Sequence, residues 1–486
     1  MSSELKKKTV SAVIFNFVEK FGQQILYLLT GVIVARLVSP EQYGLVGLLG
    51  LFVAIPTMLA ESGFATALIR EKEIGDDDYS SVFMYNLLMS LGLYVLMFLC
   101  APLLSSFYNE PSLTLIARVQ FLSIIFYSLG LVQYIELTRN MAFKSLTKLN
   151  ISALAISSLT SVVMAFNGMN VWALVCQQVL FAFCRMVGLW IVGKRKVGFN
   201  IKIKVLKKYW SFSNKLILVS MLNAFANNIY ALIIGKVYNK ADVGYYTQAN
   251  KYQEIPSSIV TNSFRSVVLS VLSKVQDEEQ RALEVTRRII GLISFIIFPS
   301  MFILATIARP FLVLLLSDIW LPSVPIFRVL CFAGSFIPFT IILGDSLSTM
   351  GRSELTLRYE LIRKSFLLIG IAFLFGQGIM SLAYWWIAYM LFSLLVALKI
   401  IKRIFPYGIR LFTKDVGLHI IVSALWATVA SQTESFYAND ILQIISQSLI
   451  IAIGYLTSLY ALKDKTLKEV LIQVKSIIQK KWPKID

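Results

Sequence analysis

Long apolar segments separated by short polar ones run through the whole of this 486-residue chain. A membrane-spanning helix needs about 20 predominantly apolar residues, and the pattern predicts fourteen such segments. They lie at roughly 11–38, 41–69, 79–107, 113–138, 146–168, 170–192, 210–238, 242–268, 286–308, 324–350, 357–376, 379–400, 415–431 and 441–462. The pattern therefore predicts an all-α polytopic membrane protein.

The positions of Lys and Arg predict which side of the membrane each loop occupies. Most of the 46 Lys and Arg residues cluster at the two termini and in every second loop between the predicted spans. Cytoplasmic loops carry the excess of positive charge, so both termini are predicted to be cytoplasmic. The loops on the opposite side are short and leave no extramembrane domain for an active site. We therefore expect a transporter and not an enzyme.

Composition supports a membrane protein and excludes several other classes. Hydrophobic residues make up 57% of the chain and the mean hydropathy is +0.72, far above the values of water-soluble domains. A net charge of +19 can indicate nucleic-acid binding, but here the basic residues flank apolar spans, where orientation and anionic headgroups account for them. The single His and the lack of a phosphate-binding glycine motif argue against a metal centre and against nucleotide use. We expect no nucleic-acid partner and no cofactor.

A shift of 200 residues aligns parts of the two halves of the chain. Gly44 then falls on Gly244, and Pro56 falls on Pro256. A six-span repeat enters the membrane twice in the same direction, so the halves are expected to be related by a pseudo-twofold axis along the membrane normal. Pro56 and Pro256 each remove a helical hydrogen bond at matching places, and we predict that both are hinges.

The repeat predicts how the chain is divided. Two six-helix lobes are followed by two extra C-terminal helices and a tail whose apolar residues recur at helical spacing. The predicted parts are an N-lobe with spans one to six (1–193), a basic cytoplasmic linker (194–209), a C-lobe with spans seven to twelve (210–403), spans thirteen and fourteen (404–462), and a cytoplasmic amphipathic tail (463–486).

Several short motifs resemble one family of membrane transporters. They are FVEKFG from Phe17, VARLVSPEQYG from Val34, ESGF from Glu61, RNMAF from Arg139 and MGRS from Met350. These motifs resemble polysaccharide exporters of the multidrug/oligosaccharidyl-lipid/polysaccharide superfamily, and the fourteen-span pattern suits that family.

The resemblance implies a flippase for polyprenyl-pyrophosphate-linked oligosaccharides in the bacterial inner membrane. Such a protein would work by alternating access in the synthesis of O-antigen, capsule or exopolysaccharide. Its expected partners are the lipid-linked substrate, membrane lipids, a polysaccharide polymerase and other assembly proteins. The alternative is an ion-coupled multidrug or organic-cation antiporter of the same superfamily. Those usually have twelve spans and favour an acidic cavity.

A pyrophosphate that crosses the membrane needs cations inside the helical bundle. An ionisable residue at the centre of a span costs roughly 2.5–3.5 kcal/mol, so it usually faces water or a partner. Arg185, Arg118, Arg328 and Lys20 are the predicted substrate-binding residues, because they lie within predicted spans. Arg185 is the first candidate, since guanidinium donates two parallel hydrogen bonds to phosphate oxygens. The alternatives are a structural salt bridge and a side chain that extends to the headgroups.

Carboxylates in the predicted spans are candidates for coupling transport to an ion. Glu19, Glu61 and Glu254 have no partner at helical spacing as obvious as Arg139 is for Glu136, and we predict that they bind H+ or Na+ during transport. Glu136 and Arg139 are three residues apart on one helix face, so they are predicted to form a structural pair.

Overall fold

The computed structural model describes residues 19, 22–61, 63–71, 73–272, 278–350, 352–437 and 439–481. Every regular element in these ranges is a helix. The α-helices in chain order are α1 (Gly22–Leu37), α2 (Pro40–Glu61), α3 (Phe64–Arg70), α4 (Asp76–Tyr108), α5 (Leu113–Gln120), α6 (Leu122–Arg139), α7 (Phe143–Phe166), α8 (Val171–Val192), α9 (Ile203–Val237), α10 (Lys240–Leu272), α11 (Glu279–Thr306), α12 (Ala308–Leu316), α13 (Ser323–Gly334), α14 (Ile337–Thr349), α15 (Ser353–Leu374), α16 (Ile379–Ile401), α17 (Ile409–Ser431), α18 (Asp440–Ala461) and α19 (Lys465–Lys481).

Ten of the predicted spans coincide with helical segments that are long and apolar enough to cross a bilayer. Three of these segments join two consecutive helices, namely α2 with α3, α5 with α6, and α13 with α14. Single helices form the other seven, which are α4, α7, α8, α11, α16, α17 and α18. The predicted all-α membrane fold is therefore confirmed, and the chain is a multi-pass membrane protein.

The count of fourteen spans is not confirmed. The four remaining predicted spans coincide with α1, α9, α10 and α15. The described part of α1 is short, and the other three carry many polar or charged residues along their length. Polar residues on a spanning helix usually face other protein or a water-filled cavity, so average hydropathy alone does not detect such helices.

The described chain divides into two compact units, Met1–Gly244 and Tyr245–Asp486. Local sequence signals set the helix starts within each unit. In the first unit, the Asp78 carboxylate accepts a hydrogen bond from the Gly75 backbone N–H at 2.8 Å and caps α4. In the second unit, Asn439 caps α18 by accepting from the Ile441 N–H at 2.8 Å. Acidic and amide side chains at these positions satisfy N–H groups that lack helical partners.

Two glycines allow a very close helix contact inside the first unit. A Cβ at Gly44 would lie 1.8 Å from the Lys240 carbonyl oxygen, and a Cβ at Gly244 would lie 2.0 Å from the Pro40 carbonyl oxygen. The start of α2 therefore contacts the start of α10 reciprocally, with partners 200 residues apart. This reciprocity is the pattern that a local twofold axis produces, and it agrees with the alignment of Gly44 on Gly244.

The basic segment before α9 lies against the acidic start of α4. Arg195 pairs with Asp76, and Lys202 pairs with Asp77. The Gly198 backbone N–H also donates to the Ser80 hydroxyl at 2.9 Å. Three consecutive aspartates at the positive end of a helix attract cations, and their negative charges interact favourably with the helix dipole.

The second unit is held together by polar contacts among α11, α17 and α19. The Arg287 guanidinium donates three hydrogen bonds to Asp415, at 2.6, 3.0 and 3.2 Å. The Arg288 guanidinium contacts Glu469 on α19 at 2.9 Å. The predicted C-terminal tail is thus helical over Lys465–Lys481, and its binding to a membrane surface stays a prediction.

Candidate functional site

Arg185 lies in the middle of α8, a helix that is long and apolar enough to span a membrane. Its guanidinium carbon lies 5.2 Å from the centre of the Tyr134 ring and 5.9 Å from that of Tyr127. Its Nε atom donates to the Asn150 side-chain oxygen at 3.1 Å. An aromatic face and an amide oxygen stabilise a guanidinium without neutralising it.

The Arg185 side chain keeps part of its donor capacity unused. Within the described part of the chain, its two terminal nitrogens make no hydrogen bond and no ion pair. The side chain is also only half-buried. A planar guanidinium with free terminal nitrogens is suited to an oxyanion such as phosphate.

Two predicted coupling carboxylates lie around Arg185. Glu19 accepts from the Asn150 Nδ2 at 2.7 Å and from the Thr147 hydroxyl at 3.2 Å, both on α7. Glu61, at the end of α2, is close enough to Arg185 to interact with it electrostatically. The first unit therefore brings together three residues that the sequence singled out separately, which form with Asn150 and the two tyrosines what we call the Arg185 cluster.

The other predicted cations of the described chain lie elsewhere. Arg118, on α5, packs its guanidinium 4.2 Å from the centre of the Phe98 ring, and its Nε donates to the Phe98 carbonyl at 3.4 Å. Arg328, on α13 in the second unit, is exposed. Lys20 lies outside the described residues. The substrate-binding role of each of these three stays a prediction.

Glu254 and the two prolines lie inside long helices. The Glu254 side chain is exposed on α10, and Pro256 follows two residues later in the same helix. Pro56 is a buried residue inside α2. The helical assignment is continuous through both prolines, and their hinge role stays a prediction.

Glu136 and Arg139 have several partners besides any contact with each other. Arg139 donates to the backbone carbonyls of Leu68, at 2.7 Å, and Glu71, at the end of α3. Glu136 accepts from the Asn140 side chain at 3.0 Å, and it also hydrogen-bonds the Tyr79 side chain. Carbonyls at a helix C-terminus lack helical partners and attract cations. Through these contacts, both residues help to hold neighbouring helices of the first unit together.

Sequence reasoning missed two features. Asn150 is 7% exposed inside a spanning helix. A buried amide in an apolar segment requires hydrogen-bond partners, so an Asn within a predicted span is a signal that the sequence itself contains. In the second unit, Glu360 contacts Arg363 at 2.9 Å and Lys364 at 3.1 Å, all within α15. Both cations fall within the predicted span 357–376 but were not among the candidate residues; the structure buries most of each side chain inside α15.

The arrangement offers no evident metal site. Among the described residues there is no group of three or more His, Cys, Asp or Glu side chains that is able to hold a metal ion. The groups present are a guanidinium with two terminal nitrogens free among the described residues, two carboxylates and two tyrosines. Groups of this kind are able to bind an anion reversibly and to exchange protons.

Comparison with known proteins identifies related sequences and folds. The model of one family, described as "Polysaccharide biosynthesis protein", matches residues 33–325, more than half of the chain. The succinoglycan biosynthesis transport protein ExoT of Rhizobium meliloti (strain 1021) is 23% identical over 347 residues, which cover 70% of each chain.

Two solved structures share the fold. The lipid II flippase MurJ, in an inward closed conformation, superposes with a TM-score of 0.75 at 19% identity, over 93% of this chain and 99% of MurJ. An inward-facing multidrug resistance MATE transporter of the MOP superfamily gives a TM-score of 0.63 at 17% identity, over 81% of this chain and 98% of the transporter. At these identities the likeness concerns the fold alone, and it does not separate lipid-linked sugars from drugs.

Proposed function

This chain belongs to the polysaccharide biosynthesis protein family, and we propose that it is a flippase for polyprenyl-pyrophosphate-linked oligosaccharide repeat units. In this proposal the protein works by alternating access in the bacterial inner membrane, with both termini in the cytoplasm, and supplies surface polysaccharide synthesis. It performs no covalent chemistry and uses no cofactor other than a coupling H+ or Na+. A polysaccharide polymerase and other assembly proteins would act on the product.

The main support for the proposal comes from the contacts of the Arg185 guanidinium. Its terminal nitrogens are free among the described residues, while its Nε donates to Asn150 and its guanidinium carbon lies 5.2 and 5.9 Å from the centres of the two tyrosine rings. A pyrophosphate supplies the oxygen acceptors that these nitrogens lack. The lipid tail of the substrate remains in the bilayer, so the protein has to bind only the charged and sugar portions.

The alternative substrate is a drug or organic cation. A cationic ligand would be repelled by Arg185 at short range and attracted by Glu19 and Glu61, so the preference for a phosphate rests on the free terminal nitrogens of Arg185. The fold is shared with a multidrug transporter, so the substrate must be decided by experiment. Loss of drug resistance without loss of polysaccharide export on gene deletion would favour the antiporter.

Substitution of Arg185 tests the site in cells that lack the chromosomal gene. Arg185→Ala removes charge-assisted hydrogen bonds worth about 1.5–3 kcal/mol each, and we expect polysaccharide export to fall at least tenfold at normal protein levels. Arg185→Lys keeps the charge and loses the planar fork, so it should retain part of the export. Arg281→Ala, which removes an exposed pairing with Glu278, is the matched control and should leave export unchanged. Normal export by Arg185→Ala would remove Arg185 from the mechanism.

A further inference from the structure

Asn150 connects a carboxylate to the guanidinium of the proposed substrate site. Its Nδ2 group donates to Glu19 at 2.7 Å, and its Oδ1 atom accepts from the Arg185 Nε at 3.1 Å. The residue is 7% exposed. One short amide therefore bridges a negative and a positive side chain inside the first unit.

The amide has one orientation that satisfies both neighbours. An ionised carboxylate only accepts hydrogen bonds and a guanidinium only donates them, so a flipped Asn150 would present its oxygen to Glu19 and its NH2 group to Arg185. The bond to ionised Glu19 is charge-assisted, and it polarises the amide so that Oδ1 becomes a stronger acceptor. Ionised Glu19 thus strengthens the hold of Asn150 on Arg185.

We propose that Asn150 couples the protonation of Glu19 to the release of Arg185 for the substrate's pyrophosphate; this inference rests on the function proposed above. When a proton from water binds Glu19, the carboxyl becomes neutral and its bond to Asn150 loses the charge assistance. Arg185 is then less tightly held, and Glu61 is the one carboxylate of the cluster that still offsets its positive charge. Pyrophosphate binds Arg185 more strongly in that state.

Linkage makes the effect reciprocal, because a ligand that prefers the protonated form promotes proton binding to the same extent. Binding of pyrophosphate draws the Arg185 guanidinium away from Asn150, which weakens the polarised bond that Asn150 donates to ionised Glu19 and so favours proton uptake by Glu19. Release of pyrophosphate restores both hydrogen bonds of Asn150, and the proton returns to water. No other reactant is required, and charge and protons balance over the cycle.

Other titratable groups surround the pair and have to be separated from it. Glu61 on α2, Tyr127 and Tyr134 on α6, and Tyr27 on α1 all interact with members of the cluster. Glu61 acts on Arg185 through space, whereas Glu19 is joined to Arg185 by two consecutive hydrogen bonds. Glu19 therefore has the more direct influence on where the guanidinium points.

The test measures protons taken up when the full-length protein, reconstituted in nanodiscs, binds geranylgeranyl pyrophosphate. Isothermal titration calorimetry in two buffers of different ionisation enthalpy at the same pH gives the number of protons exchanged per ligand bound. The probe's own protonation contributes equally to every variant. The informative quantity is thus the uptake of the wild type in excess of that of Glu19→Gln.

We expect the wild type to take up an excess of up to one proton per probe and Glu19→Gln to bind the probe with no such excess. Asn150→Leu should bind at least as tightly as the wild type and lose most of the excess. Asn167→Leu is the matched control, because Asn167 is exposed at the end of the same helix and its side chain donates to the Val163 carbonyl. This variant should behave as the wild type. Glu61→Gln should retain the excess.

The outcomes separate the two proposals. Equal proton uptake by the wild type and Glu19→Gln overturns the coupling, and so does a full excess in Asn150→Leu. If Arg185→Ala still abolishes probe binding in that case, the proposed substrate site stands while the coupling fails. If Arg185→Ala binds the probe as the wild type does, the substrate site itself is wrong. If Asn150→Leu fails to fold, the comparison of the wild type with Glu19→Gln decides whether the coupling exists.

Discussion

Adding one methyl group at Gly44 should weaken the contact between the starts of α2 and α10. A Cβ there would lie 1.8 Å from the Lys240 carbonyl oxygen, and ordinary contact begins at 3.4 Å, so the two backbones must separate by about 1.6 Å. Overpacking of this kind costs about 1–3 kcal/mol. The higher helix propensity of alanine than of glycine offsets about 1 kcal/mol of this loss in stability.

Gly92→Ala is the matched control, because it lies within α4 in the same unit and a Cβ there would meet nothing within 4 Å. It receives the propensity gain without the clash. A change of 1 kcal/mol shifts the melting temperature of a domain of 150–250 residues by about 2–4 °C. We therefore expect Gly44→Ala to melt roughly 2–12 °C below Gly92→Ala in the same detergent.

The reciprocal contact sharpens the test. Gly244→Ala should show a similar loss, because its Cβ would lie 2.0 Å from the Pro40 carbonyl oxygen. One separation of the helices relieves both clashes, so the double variant should lose less than the sum of the single losses. Thermal unfolding of the purified variants provides the measurement. Melting temperatures of Gly44→Ala and Gly244→Ala equal to that of Gly92→Ala would refute the close contact.

Two further predictions concern the second unit. Arg287→Ala leaves Asp415, whose side chain is 10% exposed, without its hydrogen-bonded partner. Because Arg287 itself is 38% exposed, we expect the free energy of unfolding to fall by about 1–3 kcal/mol, as measured by thermal unfolding. Arg288→Ala, which breaks an exposed pair with Glu469, should cost less than about 1 kcal/mol, and equal losses would contradict this reasoning. Burial opposes ionisation of Asp464, but the His419 ring, whose Nε2 lies 3.6 Å from the carboxylate, and a hydrogen bond from the Leu467 N–H hold its pKa below the usual value. A lowered folded-state pKa gives stability that is present above the unfolded pKa of about 3.9 and is lost as the pH falls through the folded value. The hydrogen-exchange protection factors of α19 should therefore fall below about pH 4 in the wild type and show no such fall in Asp464→Asn. The same fall in both proteins would exclude Asp464 as the cause.

The fold was largely predictable because apolar length and Lys and Arg asymmetry are direct consequences of the bilayer. Prediction was weakest where a helix is polar. In α10, Gln253 is buried and bonds the Ser257 hydroxyl at 2.9 Å, and Ser257 in turn bonds the Gly334 carbonyl at 3.0 Å. Gln253 and Ser257 thus find hydrogen-bond partners inside the protein, and average hydropathy carries no record of these partners.

The candidate site was predictable only in its charged members. Arg185, Glu19 and Glu61 were conspicuous because charges are costly in an apolar segment. Their meeting place was not predictable, since it depends on how α2, α7 and α8 pack. Asn150 carries no charge and was overlooked, although it joins two of the three. Arg363 lies in the predicted span 357–376 but was not chosen as a candidate, because a basic residue near the end of a span has the same sequence signature whether it orients the span or is buried against a partner.

The most direct test of the central claim is the sidedness of the lipid-linked oligosaccharide in cells that lack this gene. A probe that labels sugars only at the outer face of the inner membrane would be compared with total extracted lipid-linked oligosaccharide. We predict that the intermediate accumulates on the cytoplasmic face, that the wild-type gene restores outer-face labelling, and that Arg185→Ala does not. Outer-face labelling at the wild-type level in the deletion strain would contradict the proposed flippase function.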